Sequence, residues 1–122
     1  MTNELAINGT TYEFNFEMGF VRQIDPKHQQ KANGITQNIG LIVEIAKVLD
    51  GDITALYECL RVANKGLTPR LEQAEFDKWI EDPATDIEEV FKEVEGFFAN
   101  SNCCKIAYKK IAPTLTETST QK

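Results

Sequence analysis

The stretch ITQNIGLIVEIAKVLDGDITALYECLRVANKGL, Ile35 to Leu67, decides the fold. Ile35, Ile39, Ile42, Ile45, Ala46 and Leu49 recur at helical spacing, and Leu41 and Val48 widen the apolar stripe. The spacing restarts after Asp50-Gly51-Asp52 with Ile53, Leu56, Tyr57, Leu60 and Ala63. This pattern predicts two amphipathic helices on a very short turn. Gly51 suits the left-handed residue that ends the first helix. Asp52 suits the N-cap of the second, where its carboxylate accepts orphan amide hydrogens. So short a link makes the two helices antiparallel or steeply crossed neighbours, with their facing stripes as the core.

Upstream, Leu5 and Ile7 alternate with polar residues, as do Tyr12, Phe14 and Phe16. Asn8-Gly9 between them takes the positive φ angles of a type I′ turn, so residues 1–16 read as a hairpin with one aromatic face. Residues 17–30 read as helical, ending near Asp25 with Pro26 opening a short second turn. His28 lies in a polar run, His28-Gln29-Gln30-Lys31, and reads as an exposed surface residue. Asn33-Gly34 breaks the chain before the central pair.

Downstream, Phe76, Trp79 and Ile80 mark a helix over 71–81 that stops at Asp82-Pro83. Thr85-Asp86-Ile87-Glu88 reads as a capping box. Ile87, Val90, Phe91, Val94, Phe97 and Phe98 then continue at i, i+3, i+4, i+7 spacing. A short helix over 103–112 follows, and Pro113 onward reads as a disordered tail by composition. The expectation is a mainly α (α+β) fold: a hairpin, then about five helices around the central antiparallel pair. It forms one domain over 1–112, with a 113–122 tail.

Composition narrows the function classes. Of 122 residues, 42% are hydrophobic and 26% charged, as in ordinary soluble domains. No apolar run is long enough for a bilayer and the N-terminus has no secretory pattern, so the expectation is a cytoplasmic protein without a membrane partner. Cys59, Cys103 and Cys104 are odd in number and lack zinc spacing, which points to reduced thiols. The net charge of −6 is uneven: residues 72–95 hold ten acidic against two basic side chains. An acidic body argues against a nucleic-acid partner. With one histidine and no phosphate loop or metal motif, no catalytic, cofactor or metal site is expected.

Two surfaces remain as candidates for protein binding. One is aromatic: Trp79, Phe91, Phe97 and Phe98, whose spacing also fits core packing. The other is the acidic surface of Glu81, Asp82, Glu88 and Glu89, which also fits a solvated helix start. An acidic interaction or regulatory protein, such as an inhibitor mimicking nucleic acid, is one class that fits.

The order of motifs carries a resemblance. INGTTYEFNF (7–16) is followed by MGFVRQID (18–25), GITQNIGL (34–41) and VLDGDITALYECLRVA (48–63), then by an acidic helix and a lysine-bearing tail. Over roughly residues 4–112 this resembles the tail assembly chaperone family of long-tailed, siphovirus-type phages and prophages of Gram-positive bacteria. The resemblance implies a non-enzymatic chaperone that binds the tape measure protein and recruits major tail (tube) subunits in the host cytoplasm, and that is absent from the mature virion. It also implies self-association into a homo-oligomer, and a longer form of the chain made by ribosomal frameshifting, for which Lys109-Lys110 is a candidate slip site.

Overall fold

The computed structural model describes residues 3–120, with side chains over 3–112. The first hairpin pairs β1 (Asn3–Ile7) with β2 (Thr10–Phe14) across Asn8-Gly9, both at positive φ. Its alternation puts Leu5, Ile7, Tyr12 and Phe14 into the core. Helix α1 (Met18–Ile24) passes into a 3-10 turn, Asp25–Lys27, with Pro26 near its start. A second hairpin follows, β3 (Gln29–Ala32) and β4 (Ile35–Asn38), turning on Asn33-Gly34 with φ of 53° and 76°.

This hairpin corrects the reading of the central stretch. Ile35 and Ile39 precede the helix, which is α2 (Gly40–Leu49), and Ile35 is 62% exposed. The start of α2 is set by distant contacts. Leu41 N donates to Asp25 Oδ1 at 3.1 Å, so the carboxylate of one element caps the next. Gly40 lies against the end of α1, where a Cβ would meet Ile24 O at 2.0 Å and Asp25 O at 2.5 Å.

The turn between α2 and α3 (Ile53–Ala63) matches its sequence. Gly51 has φ +86° and Asp52 Oδ1 accepts from Ala55 N at 3.0 Å. Helices α4 (Gln73–Glu81), α5 (Ile87–Asn100) and α6 (Lys105–Thr120) complete the chain, making six helices among the described residues. The N-cap of α5 is Asp86, one residue later than expected. Its carboxylate accepts from Glu89 N at 3.1 Å. The short helix expected over 103–112 is part of the longer α6. The tail expectation, 113–122, falls on residues whose side chains, and at 121–122 whose backbone, lie outside the described residues.

Helix α2 is the hub, packing on α1, α3, α5 and α6. Ile45 and Val48 of α2 and Leu56, Cys59 and Leu60 of α3 share one buried cluster with Phe14, Phe16, Phe98 and Val94. Two buried polar residues are built into it. Glu44 meets His28 Nε2 at 2.6 Å and Lys47 Nζ at 3.6 Å. His28 is therefore half-buried and tied to α2, not a free surface residue. Asn64, fully buried, donates Nδ2 to Glu13 O and Pro69 O and accepts at Oδ1 from Leu71 N and Arg70 Nη1. One side chain thus pins the loop after α3 to strand β2.

Candidate functional site

The connection Asn15–Glu17 is fixed on both sides. Asn15 N donates to Ala63 O at 2.7 Å, at the end of α3. Ser101 Oγ donates to Phe16 O, and Cys104 Sγ lies 3.7 Å from the same oxygen, so the α5–α6 loop closes from the other side. Around this pinned segment lie two adjoining depressions, of about 550 and 180 Å³, that share Glu17 and Cys103. The larger has Phe20, Val62 and Ala63 among its lining residues, with Met18 at its edge 44% exposed. The smaller is lined by Phe16 and Phe97. Gln23 and Lys65 supply the polar rim of the larger, Asn100, Ser101 and Asn102 that of the smaller, and Glu17 is common to both.

The chemistry of this groove is that of binding. Phe20, Val62 and Ala63 in the larger depression and Phe16 and Phe97 in the smaller give it apolar patches, and among the described residues the covered Asn15 Oδ1 at its edge has no hydrogen-bond donor. A buried acceptor without a partner is costly. A ligand that brings an apolar side chain would cover these patches; Asn15 Oδ1 is already closed to solvent and lies out of its reach. Burial pushes the Cys104 thiol up to about 11 and Cys59 higher still, which makes these two poor nucleophiles. Among the described residues no cluster of three or more His, Cys, Asp or Glu could hold a metal, and no helix is long and apolar enough to cross a membrane.

The aromatic candidates separate. Phe98 is fully buried, its ring edge-on to Phe16 with centroids 5.4 Å apart, and Phe91 is buried in the same core. Phe97, the next residue in the chain, is only partly buried and faces the groove, 5.8 Å from Phe16. Trp79 is buried at the base of a shallow hollow of about 320 Å³ with Leu5, Glu89 and Val90. Glu81, Asp82, Glu88 and Glu89 are all exposed. Asp82 also caps a turn, accepting from Ala84 N at 2.9 Å. Asn15, Glu17, Met18 and Cys103 were not candidates from sequence, because the groove joins segments some 85 residues apart, as Phe16 and Ser101 are.

A family model described as phage tail assembly chaperone protein, TAC, matches residues 4–112. The chain belongs to this family. The match spans both hairpins, the hub helix and the groove, so these are features of a tail assembly chaperone. Membership in a tail assembly chaperone family points to a non-enzymatic role and implies contact with tail proteins. Neither the curated proteins nor the solved structures yield a match.

Proposed function

We propose that this chaperone holds the tape measure protein in the host cytoplasm through the Met18–Phe97 groove, and helps recruit tail tube subunits to it before leaving the assembled tail. The observation that carries the reading is the groove itself: apolar patches flanked by an exposed methionine and a partly exposed phenylalanine. A tape measure protein is long and helical, and it exposes apolar stripes until the tube encloses it. A groove of this kind covers such a stripe as a groove covers an amphipathic helix. Weak contacts repeated along a rod become strong together. Methionine suits this use because its flexible thioether adapts to successive, non-identical segments.

The acidic face supports a second kind of contact. Glu81, Asp82, Glu88 and Glu89 stand in solvent, where they favour basic partners and raise association rates. Tube subunits are the partner we assign there. The longer, frameshifted form is also part of the proposal, with the slip near the codons of Lys109-Lys110; a gene without a slippery run there refutes that part.

Co-purification with tape measure fragments and with tube protein, at low and moderate salt, tests the assignment. Tape measure capture that persists at moderate salt and weakens about tenfold in Phe97→Ala supports it. Capture abolished by reversing the four acidic charges, and unaffected by Phe97→Ala, refutes it.

A further inference from the structure

The second hairpin is built but uncovered. Every residue of β3 and of β4 is exposed, so neither face of this two-stranded ribbon packs on the core. A lone ribbon is marginal in water, which makes one held this firmly unusual. Its base is fixed four ways: by the His28–Glu44 contact, by Ile39 N donating to His28 O at 2.9 Å, by Gln29 Nε2 donating to Asn38 Oδ1, and by the Asp25 cap on α2. The hub helix therefore carries the ribbon as an arm.

The free edges are not equivalent. The His28–Ile39 bond sets the alternation of the ladder: Gln30–Gln37 and Ala32–Ile35 are bonded pairs, and Lys31–Thr36 and Gln29–Asn38 are not. Thr36 and Asn38 thus turn their backbone amides and carbonyls to the outer edge of β4. Strand β3 carries Lys31, a charge of the kind that discourages edge pairing, whereas Ile-Thr-Gln-Asn of β4 carries none.

We infer that β4 pairs antiparallel with β4 of a second copy of this chain, about a two-fold axis at Gln37, giving a four-stranded sheet. Thr36 of each copy then exchanges hydrogen bonds with Asn38 of the other, the reciprocal pattern that an isologous interface requires. Charge selects this face for self-contact. The chain has a net charge of −6 and an acidic flank, yet no carboxylate lies between Asp25 and Glu44. Two copies meet here without opposed carboxylates, and Lys31 of each sits on an outer strand away from the axis. The inference concerns the chain alone and does not depend on the tape measure reading.

The test is the mass of the full chain across a concentration series, by sedimentation, with two sets of variants. Thr36→Pro removes the outward amide at an unbonded position of the intramolecular pair. It is expected to raise the dimer dissociation constant about tenfold or more with circular dichroism unchanged. Gln37→Cys in a Cys103→Ser background is expected to cross-link on mild oxidation, because residues facing each other across the axis lie within disulfide reach. Lys31→Cys, on the far strand, is expected to stay uncross-linked. A chain that is monomeric throughout, a dimer indifferent to Thr36→Pro, or cross-linking at Lys31→Cys as efficient as at Gln37→Cys overturns the proposal. So does a β4 edge that pairs only with a strand of a tail protein.

Discussion

Replacing Asn64 with alanine tests how the loop after α3 is held. The side chain is fully buried and serves three backbone groups: Glu13 O at 3.0 Å, Pro69 O at 3.1 Å and Leu71 N at 2.6 Å. Its fourth partner, Arg70, is exposed and finds water when the bond is lost. Orphaning three backbone groups at about 1 kcal/mol each gives a loss of about 3 kcal/mol. For a chain of this length that is a fall in Tm of roughly 10–15 °C. Urea unfolding at neutral pH measures it directly. Asn64→Asp separates polarity from volume, since it keeps the shape and the acceptor for Leu71 N but loses both donations and faces two carbonyl oxygens with a carboxylate. It is expected to be at least as damaging as alanine. A loss below about 1 kcal/mol for alanine, or a near-native aspartate variant, refutes the assignment of Asn64 as the staple.

Two glycines in helices predict opposite signs. Gly40→Ala places a Cβ against the backbone oxygens of Ile24 and Asp25 and is expected to cost about 2–3 kcal/mol, whereas Gly96→Ala, with nothing within 4 Å, is expected to gain about 0.5–1 kcal/mol. Thermal melts of the two variants decide it; equal signs would be a failure. Glu58 makes an acid-sensitive contribution. Arg61 Nε and Nη2 donate to its two oxygens at 2.8 and 3.0 Å and Lys27 lies 3.1 Å away, so hydrogen bonding to Arg61 above all holds its carboxyl down at about 2 against an ordinary 4.5. The folded value lies below the unfolded one. Its stabilisation is therefore complete above the ordinary value and is lost as pH falls from there towards 2. Screening at this partly exposed site limits it to about 1 kcal/mol. Glu58→Gln is expected to be less stable at neutral pH and to show a shallower acid decline in urea titrations; parallel pH profiles would contradict this.

What the sequence disclosed follows locality. The Gly51-Asp52 turn and the first hairpin were legible because their signals lie within a few residues: a left-handed glycine, an aspartate cap, and an Asn-Gly flanked by alternating apolar residues. The second hairpin has the same Asn-Gly turn, but its strands bury neither face and so carry no alternation. Ile35 and Ile39 happen to stand at helical spacing with α2, which disguised β4 as a helix start. The cap of α5 was misplaced by one residue because Thr85–Glu88 and Asp86–Glu89 both satisfy the same local pattern. His28 looked solvated because Glu44, its partner, lies on another element. Phe97 and Phe98 belong to one apolar stripe in sequence, and only the packing of Phe16 and Phe20 separates the groove residue from the core residue. Asn15 and Met18 carried no local signal at all.

The binding claim rests on one exposed methionine at the groove. The chain has two methionines, Met1 and Met18, so a methyl-labelled sample gives a spectrum of two signals. Titration with tape measure fragments is expected to shift or broaden the Met18 methyl saturably, with about tenfold weaker binding in Phe97→Ala. A fragment that binds while the Met18 methyl stays unmoved, with affinity unchanged by Phe97→Ala, would place the tape measure elsewhere on the chaperone and contradict the account.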